Sequence, residues 1–493
     1  GNTATTGGGI LNGGALMVTS STFSGNNGGG IFYNVGTVHL AGTIFADSAS
    51  GNNCPGSGTI TDNGYNLSDD ASCGFSGAGS VNNATLNLSA LSVTTTPGQQ
   101  VHTPQLGSDA IGVIPNGTTI NNNGVTLACN QTTTDQLGAN RPINSGDNCT
   151  SGAVEVTPIC TSWTVTTAVE LSDCITLANA NESPSPTADT ITLGADITLT
   201  TALPQITSAI TLEGAGHFID GGDSVRIFNV NSSGDLTVNQ ATLQNSSANN
   251  GGGIYNNGGT VTVTDSTISG NNATFGGGIY TLGTLTVTNT TISGNSATDY
   301  GGGIYHDFGT VRVTNSTLSD NNAGLGGGGI YNNSTVMVTN STFSGNSADQ
   351  IGGGVWNRSG TLTVTNSTFS SNRANSSGGG IYHDTGTATV TNSTFSGNTA
   401  NSGGGISNRF TLHLAGNLFA AGDRGVNCVN GSGGTLNDNG YNLSDDASCG
   451  FSGTSADNAT LNLGALADNG GPTQTHLPGV TSDAIGLIPN GTT

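Results

Sequence analysis

Gly-Gly-Gly followed by Ile or Val returns seven times between Gly251 and Ile406. The triplets begin at Gly251, Gly276, Gly301, Gly327, Gly352, Gly378 and Gly403, an interval of 25 or 26 residues. A fixed period of this length marks a solenoid, because one repeat cannot bury its apolar face alone and must stack on its neighbours. Only 33% of residues are hydrophobic and 5% aromatic, a composition that in a globular chain would suggest disorder. The regular return of Ile, Val, Leu and Phe argues against disorder, since a solenoid needs only a thin apolar interior.

One repeat, Gly352 to Ser377, reads as a coil. Val355 and Trp356 form a short strand, and Thr361-Leu-Thr-Val-Thr365 alternates with the strand period. Asn366 and Ser367 make a turn, Phe369 re-enters the interior, and Ser370-Ser371-Asn372 turns again. Three short strands and three turns predict one coil of a parallel β-helix, with coils stacked at about 4.8 Å. Stacking predicts ladders of like residues. Ile254, Ile279, Ile304, Ile330, Val355, Ile381 and Ile406 form one interior ladder, and Ile268, Ile292, Leu318, Phe343, Phe369 and Phe395 a second. Three residues beyond the second stand Asn271, Asn295, Asn321, Asn346, Asn372 and Asn398, an amide ladder expected to bond along the axis. The glycines are expected to supply positive φ at the corner.

Gly-Gly-Gly-Ile together with Phe-x-x-Asn, as in Phe343–Asn346, Phe369–Asn372 and Phe395–Asn398, resembles the repeats of polymorphic outer-membrane proteins and related β-helical adhesins. The resemblance implies an adhesive surface protein.

A solenoid must hide its terminal strands. Thr167-Ala-Val-Glu170 is a capping box with Leu171, Ile175 and Ala178 at helical spacing, so a short amphipathic helix over 167–181 is expected to plug one end. Strands are expected at Thr190–Leu193, Ile197–Leu199, Ile210–Leu212 and Val225–Phe228. Residues 62–77 recur identically at 438–453, and Ser108-Asp-Ala-Ile-Gly112 recurs at Ser482–Gly486. Asn66-Leu-Ser-Asp-Asp-Ala-Ser-Cys73, with the later Pro-Asn-Gly-Thr-Thr, resembles the choice-of-anchor Q domain of secreted bacterial proteins. The expected organisation is final coils and cap of a first unit over 1–158 and an N-terminal cap over 159–188. Coils follow over 189–425, then a truncated C-terminal cap over 426–493.

The net charge of −23 arises from few ionic groups, and all seven basic residues are Arg. Nucleic acid and direct insertion into a membrane are therefore not expected. The eight cysteines form sequence-local pairs: Cys54 with Cys73, Cys129 with Cys149, Cys160 with Cys174 and Cys428 with Cys449. None has tight Cys-x-x-Cys spacing, so they read as disulfides formed in an oxidising compartment.

Parallel β-helices also include polysaccharide lyases and glycoside hydrolases, which require convergent carboxylates or a calcium site. Asp265, Asp299, Asp307, Asp320, Asp349 and Asp384 fall at different places in the coil. His306-Asp307 and His383-Asp384 lie three coils apart, about 14 Å along the axis, and read as surface polar residues. Asp69, Asp70, Asp445 and Asp446 are weak calcium candidates, and no cofactor is expected. Thr260, Thr284, Thr310, Thr335, Thr361 and Thr387 would form an outward row, the basis of an ice-binding alternative; Arg312 and Met337 interrupt the row beside it. Asn289, Asn315, Asn340, Asn366 and Asn392 each open an N-linked acceptor pattern. They fall on successive coils only about 5 Å apart, so a turn-asparagine ladder is the safer reading than glycans on every rung.

The sequence thus predicts an all-β, right-handed parallel β-helix in tandem units with a short N-terminal capping helix. The function expected is a non-enzymatic, extracellular structural or adhesive protein of the bacterial cell surface. Units would associate head to tail or continue in a longer chain as a fibre or stalk, with surface carbohydrate or a host molecule as ligand.

Overall fold

The computed structural model describes every residue except 1, 47–51, 90, 94–99, 105–107, 112, 116, 123, 131–133, 137–140, 142–148, 155–162, 181–188 and 489–493. The chain divides into two units, Gly1–Ser162 and Trp163–Thr493.

In the second unit each central coil passes through four stations. In one coil these are Ile330–Asn332, Thr335–Thr339, Thr342–Ser344 and Ser347–Ala348. Stacked coil on coil, they build parallel sheets of nine, twelve, eleven and six strands, named here the tyrosine, threonine, phenylalanine and alanine sheets. Register is one residue to one residue, Thr335 with Thr361 and Thr361 with Thr387. The fourth station exceeds the three strands expected. Its signal is a small residue, Ala273, Ala297, Ala323, Ala348 and Ala374, buried at the narrow corner.

The interior is a set of columns. Phe343, Phe369, Phe395 and Phe419 stack with ring centroids 4.8 Å apart, beside the buried Ile and Val ladders. The three glycines of a triplet have two separate causes. Gly352 adopts φ +65°, where a side chain is strained. Gly353 and Gly354 do not; a Cβ on Gly353 would lie 2.4 Å from Arg373 O, and one on Gly354 2.6 Å from Gly380 O. Close approach of neighbouring coils, and not the φ expected from sequence, therefore fixes two glycines of the three.

The capping helix spans Ala168–Ala180. Thr167 Oγ1 accepts the Glu170 N–H at 3.2 Å, and Glu170 Oε2 accepts those of Thr166 and Thr167 at 2.7 and 3.2 Å. These bonds hold the Glu170 carboxyl below its usual range. Leu171, Cys174, Ile175 and Ala178 are buried. A strand, Thr164–Val165, precedes the helix and pairs with Asp189–Leu193, so the helix is inserted between the first two strands of the threonine sheet. The strand expected at Val225–Phe228 is instead Phe228–Val230. Arg226 lies in the preceding turn, bonded to the carbonyls of Asn250 and Gly251 and set over the Tyr255 ring at 5.1 Å. Coils continue past residue 425, through Thr435–Asp438 and Leu443–Ser444.

The first unit repeats the scheme. Ala15–Thr19, Thr37–Ala41 and Thr59–Asp62 pair in parallel, and Gly7–Gly9 and Gly28–Gly30 also precede Ile. An arm follows: an antiparallel hairpin of Thr119–Asn122 and Val125–Ala128, then the Cys129–Cys149 disulfide. Cys54–Cys73 and Cys428–Cys449 are bonded. Cys174 is disulfide-bonded; Cys160 lies outside the described residues.

Candidate functional site: an outward ledge on the tyrosine sheet

Alternation on the tyrosine sheet places Ile inside, Tyr outside and the third residue inside. The third residue forms a buried polar ladder, Asn256, Thr281, His306, Asn332, Asn357, His383 and Asn408. His306 and His383 are fully buried, which corrects their reading as surface residues. Asn332 Nδ2 donates to Asn357 Oδ1 at 2.6 Å, Asn357 Nδ2 lies 2.9 Å from His383 Nδ1, and His383 Nε2 lies 3.0 Å from Thr411 O. This relay is consistent with a neutral His383 protonated on Nε2. Both ring nitrogens of His306 are buried without a hydrogen bond, although the carbonyls of Gly309, Thr335 and Thr281 face it. Burial lowers its pKa to about 4 and lowers that of His383. The signal was in the sequence: neighbouring coils carry Asn or Thr where these two carry His.

The outward residues form an aromatic spine. Tyr280, Tyr305 and Tyr331 stack at 4.6 and 4.7 Å, and Trp356 meets Tyr331 edge-on at 5.0 Å. Burial pushes the Tyr280 hydroxyl up to about 12 and that of Tyr305 further. Stacked tyrosine rings cover one another's faces, so these rings are not a flat platform for a ligand.

Beside the spine runs a row with one residue per coil: Asp307, Asn333, Arg358, Asp384 and Arg409, aligned by backbone bonds from Asn333 N to His306 O, Arg358 N to Asn332 O and Asp384 N to Asn357 O. Asn333 Nδ2 donates to Asp307 Oδ1 at 2.8 Å, Arg358 and Arg409 donate to the Tyr331 and Tyr382 hydroxyls, and Arg409 lies 3.5 Å from Asp384. Asp307, Phe308, Asn333, Arg358, Ser359, Asp384 and Thr385 line an open groove of about 520 Å³. Phe308 is 65% exposed. The sequence reading separated Asp307 and Asp384 as too distant; the fold keeps them three coils apart and fills the interval with amide and guanidinium donors.

The other sequence candidates are structural in their contacts. Asn346 donates its N–H and Nδ2 to Asn372 Oδ1 at 3.1 and 2.9 Å, and Nδ2 also to Leu318 O. Asn271, Asn295, Asn321 and Asn372 repeat that pattern, ending on Asn398. Asn289, Asn315, Asn340, Asn366 and Asn392 sit at φ near +50° in the turn after the threonine sheet, with Asn340 bonded to Asn315 Oδ1. The weak calcium candidates have their oxygens engaged by the protein. Asp70 accepts from Ser72 N and Oγ, Ser68 Oγ and Asn53 N, and Asp446 accepts from the equivalent Ser448, Ser444 and Asn427. Partial burial alone would raise both carboxyls, but these bonds outweigh it and hold them low. Asp69 and Asp445 accept the Asn53 and Asn427 amides. Among the described residues no three His, Cys, Asp or Glu side chains form a metal-binding group. In the threonine sheet, the middle outward row is broken by Arg312, which donates to Met337 Sδ at 2.9 Å.

Residues 210–369 match the right handed beta helix region family. The matched coils of the second unit are a right-handed parallel β-helix. Residues 366–384 and 392–409 match the Chlamydia polymorphic membrane protein repeat. No curated protein and no solved structure is a significant match.

Proposed function

We propose that this chain is an adhesive rod displayed at a bacterial cell surface, and that the ledge on its tyrosine sheet binds neutral glycans without transforming them. The observation that carries the reading is the ledge itself. It offers carboxylate acceptors at Asp307 and Asp384, donors at Asn333 and Arg358, hydroxyl oxygens at Ser359 and Thr385 whose protons go to Asn333 O and Arg358 O, and an exposed ring at Phe308. Donors set between two carboxylate acceptors, with an apolar patch beside them, suit a polyhydroxylated chain lying along the axis. Carboxylates on either side of Arg358 disfavour acidic sugars. Polymorphic membrane protein repeats support the surface location, and the disulfides support an oxidising compartment. The resemblance to a choice-of-anchor region and the internal duplication support units joined end to end in a fibre or stalk.

Glycan-array binding by the whole chain, compared with Arg358→Ala and Asp384→Ala, tests the ledge. Neutral oligosaccharides should bind and both variants should lose about tenfold; binding only to acidic glycans, or variants binding as wild type, refutes it. Release of reducing or unsaturated ends from a bound polysaccharide would overturn the non-enzymatic reading. Isolated short rods in electron micrographs of native material would remove the fibre.

A further inference from the structure

The turns that carry the ledge hold a second column. One residue beyond Asp307, Asn333, Arg358, Asp384 and Arg409 stand Phe308, Ser334, Ser359, Thr385 and Phe410. Two exposed rings, Phe308 at 65% and Phe410 at 48%, bracket three small residues. Each small residue gives its hydroxyl proton to a carbonyl of the coil before: Ser334 to Gly309 O at 3.1 Å, Ser359 to Asn333 O and Thr385 to Arg358 O at 2.8 Å. They are held against the rod as a floor whose oxygens are left to accept. Strand register through Thr310, Thr335, Thr361, Thr387 and Thr411 puts the two rings four coils apart, about 19 Å at the strand spacing.

We infer that this column is a trough for an extended, equatorially linked, neutral hexopyranose chain of about five residues, one to a coil, and that Phe410 forms its second end. Phe410 stands one coil beyond the groove that runs from Asp307 to Thr385, as a specificity-determining residue. The inference rests on the glycan reading of the ledge and adds to it a linkage geometry, a length and a residue. Rise decides the occupant. An extended hexopyranose chain advances per residue by nearly the rise of one coil, so its hydroxyls keep step with the Asp, Asn and Arg row. The apolar C–H faces of its end residues then meet the two rings. A coiled, axially linked chain leaves the row within a few rungs. An extended peptide advances about 3.3 Å per residue and falls out of step. It also finds no strand edge at these rungs, because the main-chain N–H groups of Asn333, Arg358, Asp384 and Arg409 are all given to the coil before at 2.9 Å.

Calorimetric titration of the whole chain with β-1,4-linked gluco- and manno-oligosaccharides of two to six residues tests the trough. Affinity should climb with length and level off at about five residues. Phe410→Ala should weaken the pentasaccharide about tenfold and the trisaccharide less than about twofold, because a short chain can settle at the other ring. Phe308→Ala should do the same from its own end, and both rings are exposed, so the coils stay folded in either variant. Malto-oligosaccharides, axially linked, should bind at least about tenfold more weakly at equal length. Equal affinity for the malto series, affinity that does not grow with length, or a pentasaccharide bound by Phe410→Ala as by wild type overturns the trough. If neutral glycans still bind through Arg358 and Asp384, the trough alone falls and the ledge stands; if no neutral glycan binds, both fall.

Discussion

Acidification should destabilise the rod at His306, and replacing that one residue should remove the effect. A base whose folded pKa lies below its ordinary value is refused its proton by the folded state. Above pH 6.5 His306 is neutral folded or unfolded, and stability is unaffected. Between pH 6.5 and about 4 the unfolded chain takes up a proton that the buried ring does not, so stability falls by about 1.4 kcal/mol per pH unit. The whole window is worth about 3 kcal/mol, and below it the loss levels off. His306→Asn places at this rung the residue found at Asn332 and Asn357, both buried in the same ladder. Urea midpoints followed by Trp356 fluorescence, two coils away, should nearly coincide for the two proteins at pH 7. At pH 4.5 the wild type should be less stable than His306→Asn by about 2–3 kcal/mol. Carboxylates with lowered pKa values, such as Asp70 and Asp446, weaken both proteins equally on acidification. Midpoints that fall in parallel for wild type and variant would refute the argument.

Three further outcomes follow from the ladders and the corner. Asn346→Ala removes the acceptor of two Asn321 donors and should lower stability by about 2–3 kcal/mol; a urea midpoint within about 0.5 kcal/mol of wild type would dismiss the ladder as a source of stability. Gly353→Ala meets carbonyl oxygens of the next coil, whereas Gly13→Ala has open space. Thermal unfolding should show the first costing about 3 kcal/mol or more and the second under about 1, and equal effects would reject close approach as the cause. Expressed in a host that performs N-glycosylation, the chain should carry glycans on at most alternate members of Asn289, Asn315, Asn340, Asn366 and Asn392, because neighbours lie one rung apart. Intact mass showing all five occupied would contradict the packing.

Much of the fold was legible because the period forces like residues into register, and a column such as Phe343, Phe369 and Phe395 can be read directly from spacing. The alanine station was missed because its strands, two to five residues around one small buried side chain, show no apolar alternation. His306 was misplaced for a different reason: an ionisable side chain was assigned to solvent, although Ile-Tyr-His alternates with the period that buries its third member. The ledge was hidden because its members, Asp307, Asn333, Arg358 and Asp384, share a position in the coil but no single residue type. Ladders of unlike residues leave no repeat to find.

The asparagine ladder has one more consequence. Each amide gives to the rung ahead what it receives from the rung behind, so the bonding demand at every internal boundary is the same. A 25-residue block can be inserted or deleted between two such rungs without leaving a donor or acceptor unmatched. The length of the coil stack is then a free variable of the gene, adjustable in steps of about 5 Å, and it can drift by recombination while the row from Asp307 to Arg409 stays intact.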